Sequence, residues 1–366
     1  MIERLQIDGY RSLCDLTIPF DPVTLITGAN GVGKSNVYRA MRLLPSLAMG
    51  TFGETLAEEG GMPAALWAGD SYGPPRRLLR WRLDHDLFSY EMECGLIPTG
   101  PDDPSAFRTD PDIKSESLKL GNRLVASRKK ARAEVGSLHG KREPLALPLA
   151  STESMIHALR DAARYPELAA AREVFAAWRF YHHFRTDPGS PARQRRTGTW
   201  SPVLAEDGAN LASAWQTLLE SGSGEVLRQA VDEAFPGCAI VIDSEEGQME
   251  ICLERPGVHR LLRAAELSDG TLRFLCLCAA LLSPQPPPLL VLNEPENSLH
   301  DALLAPLGRL VARSAAQTQV VVVTHAAALI AAIESEIDAK RVALEMWEGQ
   351  TRRAGHGGGR RSWTFE

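Results

Sequence analysis

Hydrophobic and polar positions alternate in short runs at the start of the chain. Residues 1–27 contain two such runs, RLQI and VTLIT, and each predicts a β-strand. The second run leads directly into GANGVGKS, and the stretch NVYRAMRLLPSL that follows has the apolar spacing of a helix. The chain therefore passes from a strand through a glycine-rich turn into a helix.

The middle of the chain has a weaker pattern. RLLRWRLDH and LFSYEMECGLI have the β-branched and aromatic spacing of an antiparallel pair. Residues 97–150 are polar, basic and contain proline, which predicts loops of weak order. Residues 151–184 and 208–234 have helical patterns. We therefore expect a loop-rich and mainly helical insertion.

Strands alternate with helices in the last third of the chain. AIVID and QMEICLE predict strands, followed by a helix near 270–282, the strand PLLVL, a helix near 300–314 and the strand QVVVVT. This alternation predicts an α/β fold. The predicted domains are a first lobe over 1–96, the insertion over 97–234 and a second lobe over 235–366.

Composition and charge restrict the class of protein. The chain has 366 residues, of which 44% are hydrophobic, and this is enough for a large core. Its net charge of −6 provides no global positive field for nucleic acid. The six cysteines have no metal-type spacing, so we expect reduced and mostly buried thiols. No run of 18 apolar residues occurs, and we expect a cytoplasmic protein without a membrane segment.

The turn GANGVGKS fits the phosphate-binding pattern G-x-x-x-x-G-K-[ST]. Its glycines let backbone N–H groups face the phosphates, and the N-terminus of the next helix adds positive potential. Lys34 is predicted to bind the β- and γ-phosphates, and Ser35 to ligate Mg²⁺. The predicted nucleotide-binding residues of this turn are Gly28, Asn30, Gly31, Gly33, Lys34, Ser35 and Asn36.

The strand PLLVL delivers a carboxylate to the edge of the predicted sheet. Glu294 is predicted to orient or deprotonate the attacking water. Asn293 occupies the position where phosphate-hydrolysing P-loop proteins usually have aspartate. An amide oxygen still accepts a hydrogen bond from a water on Mg²⁺ but brings no charge, so we expect Asn293 to weaken metal binding without abolishing it.

Two more segments complete the pattern. ELSDGTLRF places Ser268 and Gly270 at the start of a helix, and VVVVTHAAAL ends a strand at His325. Taken singly, the first is an ordinary helix cap and the second an ordinary structural histidine. In this order, after the P-loop and around NEPENSLH, the two segments resemble those of the AAA-family, ABC-type ATPases related to RecF and the SMC proteins. In these ATPases NEPE is a familiar form of the motif.

The resemblance covers GYRSL, GANGVGKSN, WRFYHHFRTD, SPVLAEDGANLASAWQTL, AELSDGTLRFL and LNEPENSLH. It implies a P-loop NTPase fold with an ABC-type ATPase head, and hydrolysis of ATP with Mg²⁺, slowed by Asn293. It also implies an ATP-dependent homodimer in which ATP lies between two protomers. Lys34, Glu294 and His325 would be catalytic, Arg11 would approach the nucleotide, Ser268 and Gly270 would act from the opposite subunit, and Asn297 to His300 would form the D-loop.

Four functions remain open. The first is an ATPase of the RecF/SMC kind in DNA repair, genome maintenance or phage defence. The second is a nucleotide-binding switch with little or no hydrolysis, which Asn293 and the lack of a recognisable Q-loop glutamine favour. A transporter subunit is disfavoured because Ser35 and Ser268 are far apart in the chain. A small-molecule or nucleotide kinase would not need Ser268, Glu294 and His325 in this order.

Partners are less well defined by the sequence. WRFYHHFRTDPGSPARQRR interleaves aromatic and basic residues, as DNA-binding surfaces do, but an aromatic core segment followed by a solvated basic loop explains it equally well. SRKKAR and RRAGHGGGRR leave the same two alternatives. Because the stretch after His325 is short, a nuclease domain of the overcoming-lysogenisation type is disfavoured. We expect a separate protein to supply any effector activity.

Overall fold

The computed structural model describes residues 1–69, 78–98, 104–136, 142–145 and 148–355. Its contacts divide the chain into two compact units. The first comprises Met1–Asp21, Ile26–Trp178 and Arg341–Glu366, and the second comprises Pro22–Leu25 and Arg179–Lys340.

Most of the first unit precedes residue 179. The elements up to that point are β1 (Ile2–Asp8), β2 (Leu16–Pro19), β3 (Val23–Thr27), α1 (Lys34–Met49), α2 (Phe52–Glu58), α3 (Gly61–Ala65), β4 (Leu78–His85), β5 (Ser89–Leu96), β6 (Pro111–Leu120), β7 (Arg123–Lys129), β8 (Arg132–Gly136), β9 (Arg142–Pro144), α4 (Met155–Ala158) and α5 (Pro166–Ala177). Strand β3 is divided between the two units after Leu25.

The remaining elements belong mainly to the second unit. They are β10 (Arg179–Tyr181), β11 (Arg196–Thr197), α6 (Leu211–Leu218), α7 (Gly224–Ala234), β12 (Ala239–Glu245), β13 (Gln248–Glu254), β14 (Leu262–Arg263), α8 (Asp269–Leu281), β15 (Leu289–Asn293), α9 (Leu304–Ser314), β16 (Gln319–Thr324), α10 (Ala327–Glu334), β17 (Lys340–Trp347) and β18 (Gln350–Arg353). After Lys340 the chain returns to the first unit.

An antiparallel sheet organises the first unit. Its strand order is β2-β1-β4-β5-β6-β7-β8-β9. Strand β4 alternates as the sequence predicts, with Leu79, Trp81 and Leu83 buried. It pairs antiparallel with β5, which confirms the pair predicted from RLLRWRLDH and LFSYEMECGLI.

The prediction of loops over residues 97–150 was wrong for β6, β7 and β8, which are regular strands of this sheet. Their buried face is partly polar, so hydrophobic alternation is hard to see. Glu116 and Arg128 are buried and pair at 3.3 Å. Glu116 also accepts hydrogen bonds from Tyr90 Oη at 2.7 Å and Met155 N at 2.9 Å. This network satisfies the buried charges, so a polar sequence forms an ordered sheet.

Parallel strands organise the second unit. Strand β15 pairs parallel with β10 on one side and β16 on the other. Val320 N donates to Pro22 O at 2.8 Å, beside the first half of β3. Strands β15 and β16 are buried over their whole length, as a parallel sheet covered on both faces requires. Helices α6 to α10 contribute buried side chains to the same core.

The unit boundary at Trp178 and Arg179 falls inside the predicted insertion 97–234. Its first part joins the antiparallel sheet through β6 to β9, whereas β10 joins the parallel strands. The helical prediction for 151–184 was therefore wrong at Arg179–Tyr181, where aromatic residues form a short buried strand. The helices expected within 208–234 are present as α6 and α7.

Burial of the cysteines agrees with the sequence prediction. All six thiols are free, and five of them are buried. Within the described residues, no helix combines the length and the apolar composition needed to cross a bilayer.

Candidate functional site

A glycine-rich turn connects β3 to α1 in the first unit. Gly31 has φ 82° and Gly33 has φ 97°, and residues with a side chain rarely adopt such left-handed conformations. A Cβ atom on Gly33 would also collide with the hydroxyl oxygen of Thr351. Both the backbone and the packing therefore require glycine at the position that caps α1.

The two polar residues after this cap differ in accessibility. Lys34 is 4% exposed, and its Nζ donates to the carbonyl oxygens of Gly28 and Ala29, both at 2.9 Å. Ser35 is exposed, as are Asn30 and Gly31. The lysine ammonium is thus held against the turn itself, while the serine hydroxyl is accessible to a ligand.

A hydroxyl network supports the turn from behind. Asn36 Nδ2 donates to Ser12 Oγ at 2.9 Å, and Ser12 Oγ lies 2.7 Å from Thr351 Oγ1. Thr351 Oγ1 donates to Val32 O at 2.8 Å. Asn36 therefore has a structural partner in Ser12, whereas the sequence predicts that it contacts nucleotide. Ser12 lies in the quoted GYRSL segment, but nothing local identified Thr351, which comes from β18 far along the chain.

Arg11 is held by the residue that follows α2. Its Nη2 lies 3.3 Å from both the backbone oxygen and Oε2 of Glu59. Tyr10 Oη donates to the same carboxylate. Burial, followed by the hydrogen bond to Glu59, raises the pKa of Tyr10 above its usual range. The proposed approach of Arg11 to nucleotide stays a prediction.

Three adjacent strand ends in the second unit carry polar side chains. In the parallel register, Tyr181 lies beside Leu292, and Asn293 lies beside Val323. The residues that follow are His182 after β10, Glu294 after β15 and His325 after β16. Because parallel strands end at one edge of a sheet, these side chains lie where such folds bind ligands.

Glu294 has a constrained conformation at this edge. Its φ of 48° is unusual for a residue with a side chain, and its N–H donates to Val323 O at 2.7 Å. Asn297 Nδ2 donates to Glu294 Oε2 at 2.9 Å, and His325 Nδ1 lies 3.4 Å from Oε1. Both carboxylate oxygens therefore have a polar neighbour, and the side chain is partly exposed, as a water-activating group must be.

Glu296 holds the neighbouring strand end in place. Thr324 Oγ1 donates to Glu296 Oε1 at 2.5 Å, and His325 Nδ1 lies 3.5 Å from the same oxygen. Glu296 is only 9% exposed. The second glutamate of NEPE therefore has a structural place beside His325, which the sequence analysis had not assigned.

Asn293 is buried and pairs with a histidine that the sequence analysis did not assign to the site. Its Nδ2 lies 2.7 Å from His182 Nδ1. Its Oδ1 is buried and has no hydrogen-bond partner in the part of the chain that the structure describes. His182 occupies the end of a parallel strand next to β15, a signal that was hidden because its segment was interpreted as a helix.

Arg273 of α8 fixes the histidine pair. It is 1% exposed, with Nη1 at 3.1 Å from His183 Nδ1 and Nη2 donating to His182 O at 3.1 Å. Burial lowers the pKa of Arg273 below its ordinary value. Burial, and then the positive charge of Arg273, lowers the pKa of His183. The guanidinium thus holds the backbone that places His182 beside Asn293.

The predicted signature residues begin α8. Ser268 is the N-cap, and its Oγ accepts a hydrogen bond from Thr271 N at 3.1 Å. A Cβ atom on Gly270 would lie 2.8 Å from Ser298 O, so only glycine permits this approach of the predicted D-loop. Ser268 is exposed at this surface. Its contact with a second subunit stays a prediction.

The aromatic part of the proposed DNA surface was a wrong interpretation. Trp178, Phe180, Tyr181 and Phe184 are at most 3% exposed, so their rings cannot stack on bases. In SRKKAR, Arg128 is buried against Glu116. RRAGHGGGRR lies partly outside the described residues.

Each unit, taken by itself, carries residues of a type that suits a nucleotide with Mg²⁺. The first unit offers a glycine turn with an accessible Ser35, a hard oxygen ligand of the type that Mg²⁺ prefers. The second unit offers the buried oxygen of Asn293, which has no hydrogen-bond partner among the described residues and is of a type that accepts a hydrogen bond from a water on the metal. The carboxylate of Glu294 follows it directly in the chain. When bound, Mg²⁺ would neutralise phosphate charge.

The glycine turn and the parallel strand ends define a P-loop ATPase of the ABC type, whose fold is similar to that of SMC heads. The chain belongs to the family described as "AAA domain, putative AbiEii toxin, Type IV TA system", whose model matches residues 23–331, more than half of the chain. A curated relative, the OLD nuclease of Thermus scotoductus (strain ATCC 700910 / SA-01), is 43% identical over 44 residues. That match spans 12% of this chain and 8% of the nuclease.

Solved structures support the fold. An Smc head bound to the C-terminal winged-helix domain of ScpA is similar with a TM-score of 0.57 and 17% identity, covering 96% of each chain. An Smc head with an extended coiled coil, bound to the C-terminal domain of ScpA and derived from Pyrococcus furiosus, has a TM-score of 0.55 and 15% identity. That match covers 96% of this chain and 95% of the other. The predicted α/β P-loop fold is confirmed.

Proposed function

We propose that this protein hydrolyses ATP to ADP and phosphate, and that ATP binding closes a homodimer which acts as a clamp or switch. The observation that carries this proposal is the strand edge at which Glu294 lies between Asn297 and His325. A partly exposed carboxylate with both oxygens oriented by neighbours is a suitable general base or water-positioning group.

Each residue has a separate role in the proposed reaction. Lys34 and Ser35 hold the phosphates and the metal, as in other P-loop proteins. Glu294 orients water and accepts its proton, and His325 senses the terminal phosphate. Asn293 accepts a hydrogen bond from the water shell of the metal. Arg11 approaches the nucleotide, and Asn30, Gly31 and the other residues of the glycine turn surround the phosphates.

The position of the predicted signature residues supports the clamp. Ser268 and Gly270 begin α8 at an exposed surface, and a helix N-terminus can cap a phosphate held by a second copy. Hydrolysis would remove that contact and open the dimer. DNA repair, genome maintenance or phage defence is the proposed setting, with DNA or a separate effector protein as the partner. The similarity to Smc heads crystallised with ScpA supports a protein partner.

Phosphate release from ATP with Mg²⁺ tests the enzymatic step. We would compare wild type, Lys34→Ala and Glu294→Gln, each with and without double-stranded DNA, and use the exposed Glu345→Gln as the matched control. Removing a general base costs about 10²–10⁴-fold, so Glu294→Gln should fall to background while Glu345→Gln retains full turnover. Wild-type turnover no higher than that of Glu294→Gln rejects hydrolysis. Stimulation by DNA supports DNA as the ligand.

Sedimentation velocity tests the clamp. Glu294→Gln should bind ATP without consuming it, so it should be a dimer with ATP and a monomer without it. If Glu294→Gln had the same oligomeric state with and without ATP, the clamp would be rejected. Lys34→Ala should stay monomeric because it loses the phosphate contact.

A nucleotide-gated switch without hydrolysis is the second candidate function. The neutral side chain of Asn293, buried against His182, favours it, because an amide attracts Mg²⁺ less strongly than a carboxylate. In this case wild type would bind a fluorescent ATP analogue and dimerise, yet release no phosphate above background.

A further inference from the structure

Arg193 connects the loop before α6 to the segment that leads into α8. Its side chain is 7% exposed, and all three of its nitrogens are engaged. Nε donates to Thr186 O at 2.7 Å, and Nη2 donates to Asp269 Oδ1 at 2.8 Å. Nη1 donates to the carbonyl oxygens of Ala264 at 2.7 Å, Ala265 at 3.3 Å and Leu267 at 2.8 Å.

The three acceptors of Nη1 belong to the backbone immediately before Ser268. Ala264–Glu266 form a single 3-10 turn in which Ala264 O accepts one backbone hydrogen bond, from Leu267 N at 3.3 Å, and its second lone pair can accept another donor. Arg193 supplies those donors from one rigid, planar group. The hydrogen bonds from Arg193 thus fix the backbone of this segment and, with it, the position of the N-cap Ser268.

Arg193 also forms an ion pair with Asp269. Its carboxylate is 63% exposed and follows Ser268 directly. A carboxylate beside a residue that caps a phosphate would repel the phosphate unless a cation neutralised it. The ion pair with Arg193 provides that neutralisation, which makes aspartate acceptable where the transporter signature has another residue.

We propose that Arg193 is a positioning residue for the signature segment. It fixes Ser268 for contact with the nucleotide of a second copy and neutralises Asp269. This inference rests on the proposed ATP-dependent dimer. Arg193 touches neither nucleotide nor metal in the proposal, so it should affect dimer formation and leave nucleotide binding by the monomer unchanged.

Dimer formation in a Glu294→Gln background tests the proposal. Multi-angle light scattering would follow the ATP concentration for half-dimerisation at fixed Mg²⁺, and a fluorescent ATP analogue would report binding by dilute monomer. Arg193→Ala should raise the half-dimerisation concentration at least tenfold, with monomer affinity within twofold. Arg193→Lys should lie between, because one ammonium group pairs with Asp269 but cannot reach all the carbonyl oxygens.

Arg195→Ala is the matched control. Arg195 lies two residues away and pairs with Asp243 and Glu245 of the β12–β13 hairpin rather than with the signature segment. It should leave dimerisation within twofold. The double variant Arg193→Ala/Asp269→Asn should dimerise better than Arg193→Ala alone, because the repulsive charge is gone, and worse than the background protein, because the segment is still unfixed.

The outcomes separate this inference from the proposed function. Failure of Glu294→Gln itself to dimerise with ATP overturns the clamp, and the role of Arg193 with it. A normal dimer for Arg193→Ala, or an equal loss of monomer affinity and dimerisation, overturns the inference alone. Thermal melting would confirm that each variant is folded. Hydrogen exchange over residues 264–272 should become faster in Arg193→Ala and remain unchanged in Arg195→Ala.

Discussion

Replacing Gly270 by alanine would place a methyl group between the signature helix and the predicted D-loop. The new Cβ would lie 2.8 Å from Ser298 O, so one of the two segments must move. Such overpacking costs about 1–3 kcal/mol. Alanine in a helix also gains about 0.5–1 kcal/mol over glycine. The stability of Gly270→Ala alone would therefore mix two opposite effects.

Gly53→Ala separates these effects. Gly53 is likewise the second residue of its helix, and apart from its chain neighbours and the backbone of its own helix no described atom lies within 4 Å of its Cβ position. Gly53→Ala should therefore gain only the stability that alanine provides over glycine in a helix. The unfolding free energies of the two variants, measured by urea denaturation, should therefore differ by about 1–3 kcal/mol, the cost of the clash.

The same clash should displace Glu294, the carboxylate that we propose as catalytic. Ser298 follows Asn297, whose Nδ2 donates to Glu294 Oε2 at 2.9 Å. Misplacing a catalytic group by about 1 Å costs about 10²-fold in rate, so phosphate release should fall at least tenfold in Gly270→Ala and stay unchanged in Gly53→Ala. Equal stability and equal turnover in the two variants would refute the contact and its proposed transmission.

One substitution and one labelling experiment provide two further tests. Gly33→Ala forces a side chain into a backbone conformation with φ 97° and against Thr351. Its free energy of unfolding, measured by urea denaturation, should therefore fall by at least about 1–2 kcal/mol, and it should bind a fluorescent ATP analogue at least tenfold more weakly. Native values for both quantities would contradict the role of the turn. Burial raises the pKa of Cys276 to about 12, so at pH 8 about one such thiol in 10⁴ is ionised. A maleimide should therefore label the partly exposed Cys238 rapidly and the five buried thiols slowly, and rapid labelling of two or more thiols by mass spectrometry would contradict this burial.

Features carried by contiguous residues could be predicted from the sequence. The glycine turn, the strand before it and α1 after it follow from local backbone requirements. Strands β15 and β16 were recognised because a parallel strand buried on both faces is apolar throughout. The polar residues at their ends, Glu294 and His325, were found for the same reason.

Features that depend on distant pairing could not be predicted. Strands β6 and β7 looked like loops because Glu116 and Arg128 fill their buried face, and only the fold shows that these charges meet. Thr351 supports the P-loop turn from more than 300 residues away. The local sequence pattern of these segments does not show which distant residues they contact.

The segment around His182 illustrates a different difficulty. Its aromatic residues are compatible with a helix, a stacking surface or a buried strand, and local composition does not choose among these. Pairing of β10 with β15 decides it, because Tyr181 lies beside Leu292 and the next residue of each strand is then brought to the same edge. The histidine beside Asn293 is a consequence of this register.

This neighbour also explains what an amide at position 293 provides. Nδ2 of Asn293 donates to His182 Nδ1, while Oδ1 stays available as an acceptor. An aspartate would bring a negative charge to this buried position, and that charge would need a cation or hydrogen-bond donors whenever Mg²⁺ was absent. Asparagine therefore avoids a buried negative charge in the nucleotide-free site, at the cost of metal affinity. The carboxylate that we propose for hydrolysis remains in Glu294, so asparagine at this position is compatible with the proposed ATPase, which would then require more Mg²⁺.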